Sequence, residues 1–350
     1  MNEQWPILLA GDHFVRNDIL EDRLRREVPR QHELDIRTMT LPWPLVPFGK
    51  VGEVDEASDV EESLTELVGD AQIVVTQMAP FTTRVLDAAT ALKLIVCTRG
   101  GPVNVNVEAA TERGVLVCNT AGRNAVAAAE HAVTLMLSTL RAIPRIHNGV
   151  AAGQWRSDLY AYDECGSELS GSTVGLIGYG AIGRRVARIL QAFDATVIVS
   201  DPFVDPADLP PGVELVDLPA LLSRSDVVTL HSRLTPETAN MINRETLGAM
   251  RPGSYLVNTA RGGLVDYEAL ADALETGQVA GAGLDVFPAE PLPEGWPLLS
   301  SDRVVMTPHL AGATRQTAHR AADLAAAAVA AFVEDRELPG VVNPKAGRTG

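Results

Sequence analysis

Short runs of aliphatic and β-branched residues alternate with segments of helical period along almost the whole chain. The runs Ile7–Ala10, Leu34–Met39, Ile73–Thr76, Leu94–Thr98 and Val115–Asn119 predict strands. Between them, Asp18–Glu27, Val60–Val68, Thr83–Ala89 and Val107–Arg113 predict helices. A long Ala-rich helix with a continuous apolar face follows, Ala125 to about Leu140. An irregular stretch, Gly149–Gly171, carries Trp155, Tyr160 and Tyr162. A second series then begins, with strands at Thr173–Ile177, Thr196–Ser200, Val227–His231, Tyr255–Thr259, Gly281–Val286 and Val304–Thr307. Its helices are Ile182–Phe193, Glu245–Met250 and Tyr267–Thr276, and a final Ala-rich helix spans Thr314–Glu334. Pro42–Val54 reads as a surface loop and Val342–Gly350 as a flexible tail.

Strand–helix alternation of this kind predicts an α/β fold with doubly wound parallel sheets. Two such series imply two domains of Rossmann or flavodoxin type with a cleft between them, dividing near Thr120. The length of 350 residues agrees with two domains at ~150 residues each. Apolar residues at 46% and charged residues at 21% are globular values, which exclude a disordered chain and a disulfide-stapled mini-fold. The formal charge of −16 disfavours non-specific binding to nucleic acid or anionic membrane. Cys97, Cys118 and Cys165 are too few for a disulfide framework, and the first two sit in strand-like runs that predict buried thiols. MNEQWPILLAGD lacks the basic start of a signal peptide, and the apolar runs fall short of the ~20 residues of a membrane span. A cytoplasmic protein is expected.

The first strand of the second series leads into Gly178-x-Gly180-x-x-Gly183, which opens a helix. Glycines at this spacing permit a tight turn, close approach of backbone to a pyrophosphate, and close helix–strand packing. The helix N-terminus adds amide donors and a partial positive charge. The strand–turn–helix context therefore predicts dinucleotide binding. The next strand leads to Asp201, 23 residues after Gly178. A carboxylate there can accept both ribose hydroxyls and would repel a 2′-phosphate, which favours NAD over NADP.

Three further blocks carry ionisable groups just after predicted strands: Arg261 in NTARGGLVD, Glu290 in LDVFPAEPL and His309 in TPHLAGAT. Ligands of open α/β sheets collect outside the carboxyl ends of the strands. Hydride transfer to a 2-keto acid leaves negative charge on the carbonyl oxygen and needs a proton donor of near-neutral pKa, which histidine supplies. A glutamate beside it favours the imidazolium, and a guanidinium can grip the carboxylate and polarise the carbonyl. No metal enters this reading.

Five motifs in order, NTAGRNAVAAAEHAV, GLIGYGAIG, NTARGGLVD, GLDVFPAEPL and TPHLAGAT, resemble those of the D-isomer-specific 2-hydroxyacid dehydrogenases, a family that includes phosphoglycerate dehydrogenase. The resemblance is close from about Leu92 to Thr314 and looser elsewhere. It implies that Arg261, Glu290 and His309 are catalytic and that the substrate is a small 2-hydroxy or 2-keto acid. It implies a substrate domain made of Met1–Asn119 and Leu310–Gly350, and an NAD-binding domain over Thr120–His309. Cofactor contacts carry over to Tyr179, Ala181 and Ile182 in the glycine turn. His231 and Thr235 fall on the adenine side, although His231 also suits an ordinary strand end. Thr259 and Ala260 would flank the nicotinamide, and Asp285 would hold its carboxamide. A homodimer paired through the cofactor domain is expected, with surplus apolar surface on the Ala125–Leu140 helix. His131, in that helix, reads as a packed core residue.

The chain departs from the family in its substrate loop. Arg99, Val103 and Asn106 stand where the family has glycine and two aspartates, while Gly100 and Gly101 keep small residues whose amides can bind a carboxylate. Arg99 reads either as a loop-anchoring ion-pair partner or as an extra cation for a phosphate or distal carboxylate. The segment from Thr76 to Thr83 is apolar around Met78, which is expected to touch substrate. Too few residues follow Glu337 for a regulatory domain. The competing readings are an NAD(H)-sensing, corepressor-like binding protein on the same scaffold and, less favoured, formate or phosphite oxidation.

Overall fold

Five strands form the first sheet: β1 (Gln4–Gly11), β2 (Glu33–Thr40), β5 (Ile73–Thr76), β6 (Leu94–Cys97) and β7 (Leu116–Asn119). The computed structural model describes residues 4–29 and 32–348. The strands are parallel, in the order β2-β1-β5-β6-β7. The sheet is covered on both faces, which is why β5 and β6 are buried at every position. On one face α1 (Asn17–Glu27) and the chain's last helix (Arg315–Val333) pack through Leu20, Leu24, Ala321, Ala325 and Val329. On the other lie α2 (Glu61–Leu67), α3 (Thr83–Ala88) and α4 (Val107–Glu112), through Leu64, Val85 and Ala109.

Two expectations fail here. The segment expected as a surface loop contains β3 (Gly49–Val51), which pairs antiparallel with β4 (Val54–Ala57) around a small core of Val51, Val54 and Ala57. The described part of the expected flexible tail is also stitched down. Asn343 is buried, its Oδ1 accepts from Val117 N at 2.7 Å, and its amide donates to Thr111 Oγ1 and Val115 O, both at 2.9 Å. Thr349 and Gly350 lie outside the described residues.

The second sheet contains β8 (Thr173–Ile177), β9 (Thr196–Ser200), β10 (Val213–Leu215), β11 (Val227–Leu230), β12 (Ser254–Asn258), β13 (Val279–Leu284) and β14 (Val304–Met306). All seven run parallel, in the order β10-β9-β8-β11-β12-β13-β14, so the order reverses at β8. The helix α5 (Ala125–Leu140) packs on one face beside α7 (Ala181–Gln191), burying Ala132, Leu135 and Met136 against Val174, Leu176 and Val257. The other face carries α8 (Leu218–Arg224), α9 (Arg244–Ala249) and α10 (Tyr267–Glu275). A helix not expected from sequence, α6 (Ile143–Ala151), buries none of its residues.

The chain divides into two units, Met1–Asn124 with Ala313–Gly350, and Ala125–Gly312. Because each sheet is all parallel, the carboxyl ends of its strands gather along one edge. Among the described residues no single helix is long and apolar enough to cross a membrane; α5 and α6 meet that test only as a pair bent by 65°.

Candidate active site

The glycine turn joins β8 to α7. Gly178 has φ +97°, and a methyl group on it would lie 2.8 Å from the backbone of His231 and Ser232. A methyl on Gly183 would lie 2.4 Å from Gly178 O, so this glycine lets α7 press onto the turn. Gly180 is different: a methyl there meets nothing within 4 Å, which leaves the backbone open to an incoming group. No side chain caps the first turn of α7. The residues thus fit a pyrophosphate held by backbone amides and the helix N-terminus.

Asp201 follows β9 and is fixed by two amides, Tyr179 N to Oδ2 at 2.7 Å and Phe203 N to Oδ1 at 2.9 Å. Tyr179 is buried with Arg184 stacked over its ring at 4.8 Å, so it is wedged under the turn. His231 ends β11 beside Gly178, and burial pushes its pKa down to about 4, which keeps it neutral at physiological pH. Thr235 lies in the following turn, its amide donating to Thr238 Oγ1 at 2.8 Å. Thr259 is buried after β12, and its Oγ1 has no hydrogen-bond partner. Ala260 N donates to Asn258 Oδ1 at 3.0 Å.

Arg261, Glu290 and His309 come together at the carboxyl edge of β12, β13 and β14. Gly262 packs so closely on Phe287 that a methyl group would sit 1.9 Å from its carbonyl oxygen, which brings the arginine loop against the glutamate loop. Glu290 Oε1 accepts from Phe287 N at 3.0 Å, and Oε2 lies 2.6 Å from His309 Nδ1. With Oε2 as the acceptor, Nδ1 carries the proton and Nε2 is the nitrogen outside the pair. Burial pulls the His309 pKa down, but the hydrogen bond and charge of Glu290 outweigh it, and the net shift is upward. Arg261 is close enough for its charge to oppose that rise, and it stays exposed.

Asp285 has a structural role that the sequence reading did not give it. It is 0% exposed, and it braces the histidine segment. Its Oδ1 accepts from Thr307 Oγ1 at 2.6 Å and Leu310 N at 2.8 Å, and Oδ2 accepts from Ala311 N at 2.8 Å. Its backbone carbonyl accepts from His309 N at 2.8 Å. Burial raises its pKa, but the bonds from His131, Thr307, Ala311 and Leu310 prevail and hold it below the ordinary aspartate value. His309 has φ +54°, unusual for a side chain with a Cβ, and these bonds hold it there. His131 is likewise no simple core residue. Its Nε2 lies 2.9 Å from Thr307 Oγ1, and since that hydroxyl donates to Asp285, His131 must donate to it. The Glu130-His131 pair inside NTAGRNAVAAAEHAV was the only available signal, and an apolar helix masked it.

The expected substrate-loop residues belong to the first unit. Arg99 is committed elsewhere: it donates to Glu56 O at 3.0 Å and Met78 Sδ at 3.2 Å, and forms an ion pair with the Glu56 carboxylate. It anchors the loop and is not a spare cation for substrate. Met78 is buried beneath it and offers almost no surface. Gly100 and Gly101 do face open space, where an added methyl would meet nothing within 4 Å. Asn106, in place of the family aspartate, caps α4 by accepting from Ala109 N at 3.0 Å. Cys97 and Cys118 are buried free thiols, pushed up by burial to pKa values of about 11 and 12.

Residues 133–311 match the model for the D-isomer specific 2-hydroxyacid dehydrogenase NAD binding domain. The D-3-phosphoglycerate dehydrogenase of Mycobacterium bovis is 42% identical over 264 residues, 75% of this chain and 49% of that protein. This chain thus spans about half the length of several of the curated relatives it matches. The glyoxylate reductase of Thermofilum pendens is 41% identical over 261 residues, 74% of this chain and 77% of that protein. The crystal structure of the TT0316 protein from Thermus thermophilus superposes with a TM-score of 0.79 at 35% identity, covering 96% of this chain and 99% of that one. With its reversed-order parallel sheet, its glycine turn and these matches, the chain belongs to the D-isomer-specific 2-hydroxyacid dehydrogenases and carries their NAD-binding domain.

Proposed function

We propose that this protein is an NAD-dependent dehydrogenase that interconverts a D-2-hydroxy acid and its 2-keto acid. The observation that carries the proposal is the 2.6 Å contact between Glu290 and His309 Nδ1, which leaves Nε2 free beside Arg261 in an NAD-binding domain. The amides of Gly178–Gly183 would hold the pyrophosphate, Asp201 the adenine ribose, and the unpartnered Thr259 hydroxyl suits the nicotinamide end. NAD(H) held there would supply the hydride chemistry, as donor to the keto carbon or as acceptor in the reverse direction.

The side chains do the rest. Arg261 grips the substrate carboxylate and orients the carbonyl by paired, charge-assisted hydrogen bonds. His309 gives its Nε2 proton to the carbonyl oxygen as negative charge develops, and takes it back in the oxidation. Glu290 holds the ring by Nδ1 and favours its charged form, so that a proton donor is present near neutral pH.

A panel of 2-keto acids with NADH, followed by absorbance, tests this reading. Oxidation of NADH by at least one of them is expected. Binding of NADH with no turnover of any would overturn it.

Two further properties belong to the same reading. We propose a homodimer, for a different reason than surplus surface on α5, whose apolar face is used within its own unit. Ile143 and Val150 on α6, with Trp155, Tyr160 and Tyr162 after it, form an exposed apolar surface of the kind that marks contact sites. A monomeric mass by light scattering at micromolar concentration would refute it. Buried unpaired thiols suit a reducing compartment, and a cytoplasmic location is proposed on that basis.

A further inference from the structure

The helix α5 lies directly on β13 because that strand has no side chains where the two cross. A methyl group on Gly283 would lie 2.9 Å from Thr139 Oγ1 and 3.2 Å from Leu135 Cβ, and one on Gly281 would lie 3.1 Å from Thr139 Cγ2. His131, Leu135 and Thr139 are four residues apart, so they share one stripe of the helix. Gly281, Gly283 and Asp285 are two apart along the strand and its first residue beyond. Four helical residues advance ~6 Å and two strand residues ~6.6 Å, so the two series keep step. The next match in the series is His131 with Asp285, and there Nε2 lies 3.4 Å from Oδ1. Every residue in this arrangement belongs to the second unit.

Thr307 stands between the two. Its Oγ1 lies 2.9 Å from His131 Nε2 and donates to Asp285 Oδ1 at 2.6 Å. A hydroxyl has one proton, and this one is spent on the carboxylate, so the ring supplies the other from Nε2. Asp285 in turn takes the amides of Leu310 and Ala311, which follow His309 directly. To accept from Thr307, Leu310 and Ala311 together the carboxylate must be ionised, since a protonated one would turn an acceptor into a donor. Burial works to neutralise Asp285, and the bond from His131 leads the contacts that keep it charged. The neighbours of His131 on α5 are apolar, so a leucine there would pack without needing a partner.

We propose that His131 is a positioning residue for proton transfer: it completes a hydrogen-bonded chain through Thr307 to Asp285 that fixes the His309 ring against Glu290. This rests on the dehydrogenase reading, in which His309 is the acid and base. His309 has φ +54°, a backbone conformation it does not favour by itself, so its place depends on the groups that hold it. The charged groups around its ring are Glu290 and Asp285, which favour the imidazolium, and Arg261, which opposes it. Loosening the ring from Glu290 and neutralising Asp285 therefore act in the same direction, toward a less basic His309.

NMR titration of the His309 ring in the full chain tests the proposal, beside steady-state kinetics with NADH and the best 2-keto acid. The ring signal is identified by its loss in His309→Gln. His131→Leu should move the His309 titration to lower pH and lower kcat about tenfold, the order for one hydrogen bond to a charged group, with little change in KM for the keto acid. Thr307→Val should do the same. The double variant should lose little more than either single one, because both cut one chain. Thr307→Ser, which keeps the hydroxyl, should recover most of what Thr307→Val loses. An unmoved His309 titration in folded His131→Leu and Thr307→Val proteins, or losses that simply add in the double variant, would overturn the proposal. Should one single variant not fold, an unmoved titration in the other would overturn it. The titration needs no turnover, so it judges His131 even if no 2-keto acid is reduced, and turnover by the unaltered protein judges the dehydrogenase reading separately.

Discussion

Glu290 meets His309 at Nδ1, 2.6 Å away, and leaves Nε2 outside the pair. The pair therefore sets both the orientation of the ring and its charge. The pKa of His309 lies above its ordinary value of 6.5, despite burial, because Glu290 favours the imidazolium. Reduction needs the charged ring, so its rate should be flat at low pH and fall as pH rises through that raised pKa. Oxidation should show the opposite limb. The same shift adds stability that is complete below the unfolded pKa and disappears as pH rises through the folded one. Glu290→Gln should move the reduction limb to lower pH. His309→Gln should lose about 10²–10⁴-fold in rate while retaining NADH binding. A pH–rate series with both variants checks this, and an unshifted Glu290→Gln profile would show the wrong acid has been assigned.

Arg261 is exposed and forms no ion pair among the described residues; Nη1 donates to Ala260 O at 2.7 Å, an exposed contact that a substrate carboxylate can replace. Arg261→Lys keeps the charge and loses the two-pronged contact. The expected result is a higher KM for the keto acid, with a smaller change in kcat. Steady-state kinetics with the best 2-keto acid measures the split.

Asp201 should make the enzyme prefer NADH to NADPH. Its carboxylate is pinned by the amides of Tyr179 and Phe203 and cannot swing away from an added phosphate. A like charge at ~4 Å costs about 4 kcal/mol at an effective dielectric of ~20. Asp201→Ala should narrow the preference. Dissociation constants for the two coenzymes test it, and tighter NADPH binding by the unaltered protein would count against it.

Asn343 closes three hydrogen bonds, to Val117 of β7, to Val115 just before it and to Thr111 of α4. Asn343→Ala leaves Val117 N and Val115 O short of partners in a buried place. A loss of about 1–3 kcal/mol is expected, the usual cost of an unsatisfied buried group. Thermal or denaturant unfolding reads it directly.

What could be read in advance was local. The inner strands of both sheets announce themselves as apolar runs, because both faces of each sheet are covered there, and the glycine turn is confined to six residues; the three-residue edge strand β10 and the short α8 after it were not expected. The ordering of Arg261, Glu290 and His309 after successive strands was legible for the same reason. Interactions between distant residues were not. Arg99 finds Glu56 forty-three positions earlier, and His131 reaches Thr307 across 176 positions. Nothing in the neighbours of either residue announces its partner. The hairpin of β3 and β4 hid in Pro- and Gly-rich sequence because a core of three small side chains leaves almost no periodicity. The helix α6 was missed because it buries nothing, so no apolar stripe marks it.

The brace from Asp285 has a mechanical consequence. His309 follows β14, which is only three residues long and forms the outer edge of its sheet. Edge elements open most readily, and a proton-transfer group mounted on one would wander with it. Asp285 follows the next strand inward, β13, and ties down the amides of His309, Leu310 and Ala311. Fraying of β14 is thereby uncoupled from the ring. In hydrogen exchange those three amides should keep pace with β13, and the edge strand should exchange ahead of both.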